Sequence, residues 1–142
     1  MRNKRAIPAN HNKSNMRIMA GNLSPNPLLE VDEKYRSFVA GDLKLAITCK
    51  QSKDVDAKEL NWMSDLTEQT MQAYYLDSEG GWNRKAKEKE FKHDTARVLL
   101  VRDEKDEKLV AFVHFRFELC DEQKFPVVYC YEIQMPPEWQ GA

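Results

Sequence analysis

One carboxylate has an unusual setting for its residue type. Glu132 lies within an otherwise apolar run, Val127 to Met135, that has the pattern of a β-strand. A buried carboxylate is costly unless it is paired or hydrogen-bonded, and burial makes the group a stronger base. Glu132 is therefore a candidate general base for a reaction that removes a proton. The alternative is structural, with Arg116 or His114 on a neighbouring strand as the partner of the carboxylate.

The thiols and imidazoles do not point to a second chemistry. The chain has three cysteines, an odd number without CxxC spacing, and two of them lie in apolar strand-like runs. We therefore expect reduced thiols in the core rather than a disulfide or zinc site. The three histidines also lack the spacing of metal ligands, so no metal site is predicted. These residues are Cys49, Cys120, Cys130, His11, His93 and His114.

The composition is that of one globular domain. The chain has 142 residues, of which 42% are hydrophobic and 32% are charged, and these values exclude mainly disordered and membrane-embedded classes. No apolar run approaches the roughly 18 residues that cross a bilayer, and the N-terminus lacks the apolar segment of a secretory signal. We therefore expect an intracellular protein.

The N-terminal segment differs in charge from the remainder. Residues 1 to 29 contain five basic residues and no acidic residue, although the net charge of the whole chain is −1. This segment is also rich in Asn, Ser and Pro, which predicts a disordered extension over residues 1–33. A basic arm fits nuclear import or loose contact with nucleic acid, and the alternative is a solvated tail. Five basic residues over residues 1 to 29 are too sparse to predict direct nucleic-acid binding.

Hydrophobic spacing predicts an α+β domain over residues 34–142, with one strand, two helices and three further strands. The strands are Leu43 to Cys49, Ala96 to Val101, Leu109 to Glu118 and Val127 to Met135. The charged turn from Asp103 to Asp106 predicts a hairpin between the second and third strands. The sheet is therefore expected to be mainly antiparallel.

Two helices are predicted between the first two strands. The first begins at Asp56, because Asp56 and Glu59 have the spacing of a capping pair, and ends before Gly80. Its packed face carries Met63, Leu66, Thr70 and Tyr74. The second helix is highly charged and covers Asn83 to His93, with Phe91 as its apolar anchor.

Alternation assigns side chains of the last two strands to faces. In the third strand one face is wholly apolar, whereas the other begins with Val110 and Phe112 and ends in charge, which indicates the border of a cleft or the solvent rim. In the last strand the same rule separates Tyr131 from Glu132. The two predicted faces are Val127, Tyr129, Tyr131, Ile133 and Met135, against Val128, Cys130, Glu132 and Gln134.

This order of elements, followed by Met-Pro-Pro-Glu-Trp-Gln-Gly-Ala, resembles the first half of the GNAT acyl-CoA N-acyltransferase fold. Within that superfamily the sequence is similar to the NatD family, N-alpha-acetyltransferases of histone H4 and histone type 2-A. The most specific matching strings are His-Phe-Arg-Phe from His114 and Tyr-Cys-Tyr-Glu-Ile-Gln from Tyr129. The resemblance lies within residues 34–142.

The resemblance implies transfer of acetyl from acetyl-CoA to a peptide α-amine, without a metal and without a covalent intermediate. Glu132 matches the catalytic base. The matching substrate-binding positions are Tyr75, Trp82, Glu118, Leu119, Cys120 and Tyr131. The positions that match acetyl-CoA binding are Ile133, Gln134 and Met135 in the strand, and Gln140, Gly141 and Ala142 at the start of a pyrophosphate loop. The resemblance further implies Ser-Gly-Arg-Gly histone N-termini as partners, a monomer when full length, and a location in nucleus and cytoplasm.

Two departures from the family pattern bear on these expectations. Gly80-Gly81-Trp82 stands where the family has Trp-Gly-Trp, so one substrate-lining tryptophan is missing unless Trp82 shifts to replace it. The sequence also stops at Ala142, inside the loop, so we expect weak or no acetyl-CoA binding and an unpaired sheet edge for this chain alone. The alternatives are a non-catalytic form that only binds peptides and a GNAT enzyme acting on another amine.

Overall fold

The computed structural model describes residues 9–76, 82–120 and 125–140, and for residues 9–12, 14 and 72–76 it describes the backbone only. These residues form three α-helices and one five-stranded antiparallel sheet in the order β1-β2-β3-β4-β5. The elements are α1 (Ala9–Leu23), β1 (Ser37–Ala40), β2 (Leu43–Gln51), α2 (Ala57–Leu76), α3 (Arg84–Phe91), β3 (Arg97–Asp103), β4 (Leu109–Leu119) and β5 (Pro126–Gln134). The expected α+β class with an antiparallel sheet is confirmed.

Helix α2 begins where its capping pair predicts. The Glu59 N–H donates to Asp56 Oδ1 at 2.7 Å, and the Asp56 N–H donates to Glu59 Oε1 at 3.0 Å. This reciprocal pair satisfies two backbone donors that the first helical turn leaves without partners. Met63 and Leu66 then face the sheet and are buried, as their spacing predicts. The Tyr74 side chain lies outside the described residues.

The main core lies between the sheet and helices α2 and α3. Phe91, the predicted anchor of α3, is 2% exposed and meets Phe112 of β4 edge to face, with ring centroids 5.6 Å apart. Asn83 caps α3 by accepting the Ala86 N–H at 3.0 Å. The buried cluster comprises Met63, Leu66, Phe91, Val98, Leu100 and Phe112. Burial of this apolar area holds both helices on one face of the sheet.

The N-terminal segment differs from the expected disordered extension, because α1 packs on the other sheet face. Gly21 lies so close to β4 that a Cβ atom there would stand 2.8 Å from the Phe117 ring. Arg97 Nη2 of β3 donates to the Asn22 carbonyl at the C-terminal end of α1, at 2.5 Å. Composition alone missed these contacts, which supply stability that an isolated helix of this length lacks.

A second difference is the hairpin of β1 and β2. The sequence predicted that the first strand begins at Leu43, but an earlier strand, Ser37–Ala40, pairs antiparallel with β2. The turn contains Gly41 at φ +60, a backbone conformation that glycine adopts without a steric penalty. The remaining strands lie within two residues of their predicted bounds.

The pairing of β4 with β5 contains a β-bulge that the alternation rule did not predict. His114 pairs with Glu132 and Phe115 pairs with Cys130, so Tyr131 is the extra residue. Beyond a bulge the assignment of side chains to faces shifts by one residue. The predicted separation of Tyr131 from Glu132 is therefore wrong, because both lie on the His114 side of the sheet.

The three thiols are free, but their burial differs from the expected core setting. Cys49 is buried on β2, Cys120 is partly exposed, and Cys130 is exposed. The prediction of a core thiol is wrong for Cys130 because β5 is an edge strand. Among the described residues, no helix is long and apolar enough to span a membrane.

Candidate functional site

Glu132 extends from β5 toward α3 and has a defined partner on each carboxylate oxygen. Lys87 Nζ lies 3.0 Å from Oε2, and the side chain of Glu132 is only 8% exposed. Gln134 Nε2 donates to Oε1 at 2.5 Å, and Gln134 Oε1 in turn accepts the Thr70 hydroxyl at 2.6 Å. The expected ionic partner, Arg116 or His114, is therefore replaced by a lysine of α3.

Lys87 is the cation of this site. Its side chain is 12% exposed, and its Nζ also lies 3.1 Å from Glu90 Oε2. Burial alone would lower the pKa of Lys87, but the hydrogen bonds to Glu132 and Glu90 outweigh burial and raise that pKa above its usual value. Lys87 is thus charged throughout the neutral range, next to the carboxylate.

His114 lies opposite Glu132 on β4 and is neutral at physiological pH. The residue is fully buried, and burial, with Arg116 and Lys87 nearby, lowers its pKa from 6.5 to about 4. Arg116 Nε donates to His114 Nε2 at 3.2 Å, which places the hydrogen of the neutral ring on Nδ1. Among the described residues, Nδ1 has no hydrogen-bond partner.

The Tyr131 ring contacts both His114 and Arg116. It stacks on the His114 ring with centroids 5.0 Å apart, and the Arg116 guanidinium carbon is 4.3 Å from its centroid. The Tyr131 hydroxyl donates to Glu118 Oε1. Burial and then this carboxylate raise the pKa of Tyr131, so the phenol stays protonated. Arg116 is itself held by the Glu90 carbonyl, at 2.9 Å from Nη2.

The structure thus brings together three residues predicted from the sequence, Glu118, Tyr131 and Glu132. Leu119 ends β4 opposite Pro126, and Cys120 follows with its N–H donating to the Phe125 carbonyl at 2.9 Å. Trp82 directly precedes the capping residue of α3. Tyr75 lies in the last turn of α2, and its side chain is outside the described residues.

The predicted cofactor positions fall into two groups. Ile133 is 70% exposed on edge strand β5, whereas the Gln134 side chain is buried and turned toward Glu132. Met135 follows the strand, and its carbonyl accepts Gln140 Nε2 at 2.9 Å across the 3₁₀ turn Pro137–Trp139. Gly141 and Ala142 lie outside the described residues.

Sequence reasoning missed Lys87, although a signal was present. Lys87 precedes Phe91 by four residues, so the two share one face of α3. Because Phe91 was expected to anchor that face in the core, a lysine one turn earlier required an acidic partner inside. Thr70 was assigned to the packed face, but its hydrogen bond to Gln134 needs the actual register of β5.

The arrangement offers acid–base chemistry. The Glu132 carboxylate, a neutral imidazole and a protonated phenol lie on one sheet face, and Lys87 and Arg116 contact them. No group of three or more His, Cys, Asp or Glu side chains within the described residues is placed to hold a metal ion. No protein-family model matches the chain.

Proposed function

We propose that the chain carries the acceptor-amine side of a GNAT-type protein N-terminal acetyltransferase of the NatD kind. The observation that carries the proposal is the bulge at Tyr131, which brings Tyr131 and Glu132 to one sheet face beside His114, Arg116 and Glu118. A base and a substrate-binding ring must face the same cleft to act on one peptide. Histone H4 and type 2-A N-termini, in nucleus and cytoplasm, are the proposed substrates and location.

Glu132 acts as the general base in this proposal. A peptide α-ammonium has a pKa of about 8 and lacks the lone pair that attack requires. Glu132 takes one proton from it, directly or through water. The nitrogen then attacks the thioester carbonyl carbon of acetyl-CoA, the carbon–sulphur bond breaks, and the departing sulphur takes the second nitrogen proton. No nucleophilic side chain enters the sequence of steps.

The outer edge of β5 fits the acyl donor. Within the described part of the chain β5 has no neighbour beyond β4, so alternate backbone N–H and C=O groups point outward. An extended pantetheine arm carries amide groups that can pair with such an edge, as a peptide strand does. The exposed Ile133 side chain lies along this edge and offers it an apolar flank.

Glu118 and Tyr131 form the peptide side of the proposed site. Glu118 lies near the end of β4 and is partly exposed, so its carboxylate is open to an arginine of a Ser-Gly-Arg-Gly terminus. The Tyr131 ring stacks on His114 and lies against the Arg116 guanidinium, and these two residues are hydrogen-bonded to each other. A ring held in this way lines a cleft without losing side-chain entropy when substrate binds.

The test is acetyl transfer from acetyl-CoA to a Ser-Gly-Arg-Gly peptide, followed by mass spectrometry. We expect one acetyl group on the α-amine and none on a matched peptide whose α-amine is blocked. Acetylation of a blocked peptide that carries a lysine would overturn the N-terminal assignment in favour of a GNAT enzyme for another amine. Absence of transfer to either peptide by protein that binds acetyl-CoA would overturn the enzymatic proposal.

A second candidate function is peptide binding without turnover, and one observation favours it. The Glu132 carboxylate is already occupied by Lys87 and Gln134, so a substrate ammonium has to share it. Isothermal titration with the free and α-blocked peptides separates the two functions when transfer is absent. Binding of both peptides with no acetylated product supports the binding module.

A further inference from the structure

We propose that Lys87 is the positioning residue of the site, and that its charge sets the pH at which amine deprotonation by Glu132 begins. This inference rests on the proposed acetyl transfer and adds a residue that neither the sequence pattern nor the resemblance assigned. Its basis is the contact of Lys87 Nζ with Glu132 Oε2 at 3.0 Å, with both side chains almost entirely buried.

The geometry makes Lys87 a fixed partner rather than an incidental surface charge. Its stem runs over the buried Phe91 ring, with Nζ 6.0 Å from the ring centroid, and Glu90 holds Nζ from the outer side at 3.1 Å. An ion pair with little access to water is screened far less than an exposed pair. The remaining Glu132 oxygen is fixed by Gln134, which Thr70 of α2 orients.

The cation acts on a substrate ammonium bound at Glu132. It disfavours a second positive charge at the same carboxylate, so the bound ammonium releases its proton more readily. Lys87 therefore lets the bound amine lose its proton at a lower pH than it would without this cation.

Other charged groups face this pair, and none of them replaces Lys87. From α3, Glu90 contacts Lys87, and His93 near the helix end acts on His114. From β4, Arg116 donates to neutral His114, and the hydroxyl of Tyr131 on β5 donates to Glu118. Among the described residues, Lys87 is the only cation in a salt bridge with Glu132.

The experiment compares kcat for Ser-Gly-Arg-Gly acetylation from about pH 6 to about pH 9 in the wild type, Lys87→Met and Lys87→Arg, because kcat reports the groups of the enzyme–peptide complex. We expect the midpoint of the acid limb to move up by about one pH unit or more in K87M. It should stay near the wild-type midpoint in K87R, which restores the charge. Lys89→Met removes an exposed lysine of the same helix and should leave the profile unchanged.

The outcomes separate this inference from the proposed function. If the wild type binds acetyl-CoA but transfers no acetyl group, both fail together. An active wild type whose midpoint is unchanged in K87M overturns only the role of Lys87, even if the rate falls. Lys87→Gln keeps a hydrogen-bond donor without charge and should show the same upward shift, so it replaces K87M if that variant loses its cooperative unfolding transition.

Discussion

Two buried carboxylates lie on the α2/α3 side of the molecule, and their surroundings differ. Glu59, at the start of α2, is 3% exposed and binds Lys50 at 2.8 Å and Arg102 at 2.9 Å, besides the Asp56 N–H. Glu132 is 8% exposed and has one lysine, which it shares with Glu90, and one side-chain amide. Glu59 thus has two cations and a backbone donor, whereas Glu132 has one cation.

The difference bears on the proposal that Glu132, and not Glu59, accepts a proton. Burial would raise the pKa of Glu59, but Lys50, the Asp56 N–H and Arg102 outweigh burial and lower it. A group held ionised by so many donors is a poor proton acceptor. Glu132 has one cation and one side-chain amide as partners, so fewer donors enclose its carboxylate than enclose that of Glu59.

The largest expected effect is on stability at Glu59. Glu59→Gln keeps an acceptor for the Asp56 N–H but leaves two cations without their carboxylate, so the free energy of unfolding should fall by about 3 kcal/mol at pH 7. Because the folded pKa of Glu59 is lowered, its stabilisation is present above the unfolded value of 4.5 and is lost as pH falls through the folded pKa.

Urea unfolding at several pH values measures this effect. Glu68→Gln on the same helix is the matched control, since the Glu68 side chain is 37% exposed and pairs with Arg84 at 3.2 Å. It should change stability by only about 0.5 kcal/mol. Equal losses of unfolding free energy in E59Q and E68Q would show that Glu59 is no more important for stability than an exposed carboxylate.

The next effect is on turnover at Glu132. Glu132→Gln should lower kcat of acetyl transfer by about 10²-fold, the usual scale for loss of a general base, whereas E59Q should leave the kcat of folded protein near the wild-type value. Steady-state kinetics at pH 7 on protein with a verified thermal transition provides the measurement. Unchanged kcat in E132Q would return Glu132 to a structural role like that of Glu59.

His114 gives the Glu132 region a pH-dependent stability of its own. Because its folded pKa is about 4 and its unfolded value is 6.5, the unfolded chain binds a proton first as pH falls. Stability should therefore be complete above pH 6.5 and fall by about 2 kcal/mol on reaching pH 5. In His114→Gln this loss between pH 7 and pH 5 should disappear. The exposed His93 is the control, and a loss that persists in H114Q but vanishes in His93→Gln would contradict the assignment.

The smallest effect is on the titration of Lys87. Its pKa is raised by Glu132 and Glu90 against the effect of burial, so E132Q should lower it, while Lys87 remains charged at neutral pH. NMR of the lysine side-chain resonances against pH follows this change. A Lys87 midpoint that is the same in E132Q and the wild type would mean that the pair does not persist in solution.

Features fixed by local sequence were predictable, and features fixed by contacts between distant segments were not. The Asp56–Glu59 cap and the Phe91 anchor follow from spacing within one helix, and the structure confirms both. The docking of α1 depends on Gly21 meeting Phe117, residues far apart in sequence, so a polar composition predicted disorder there instead.

The candidate site divides in the same way. Glu132 is recognisable as a candidate site residue because a charge interrupts an apolar run. Strict alternation, however, assigns Tyr131 to the wrong face of the sheet. A bulge cannot be predicted from a run of strand-forming residues, since its position depends on the partner strand. The contact of Lys87 with Glu132 could likewise not be predicted from the charged sequence of α3, because it depends on the position of β5.

The bulge at Tyr131 also constrains how the length of this segment can vary. Deleting Tyr131, the residue between Cys130 and Glu132, would restore an unbroken ladder of hydrogen bonds with β4. Judged by backbone pairing alone, the shortened β5 would be a regular strand. It would nevertheless remove the ring that contacts His114 and Arg116, and it would leave Glu118 without the phenol that donates to it. Variants made by loop or strand shortening should therefore tolerate changes in the turns far better than a single deletion here.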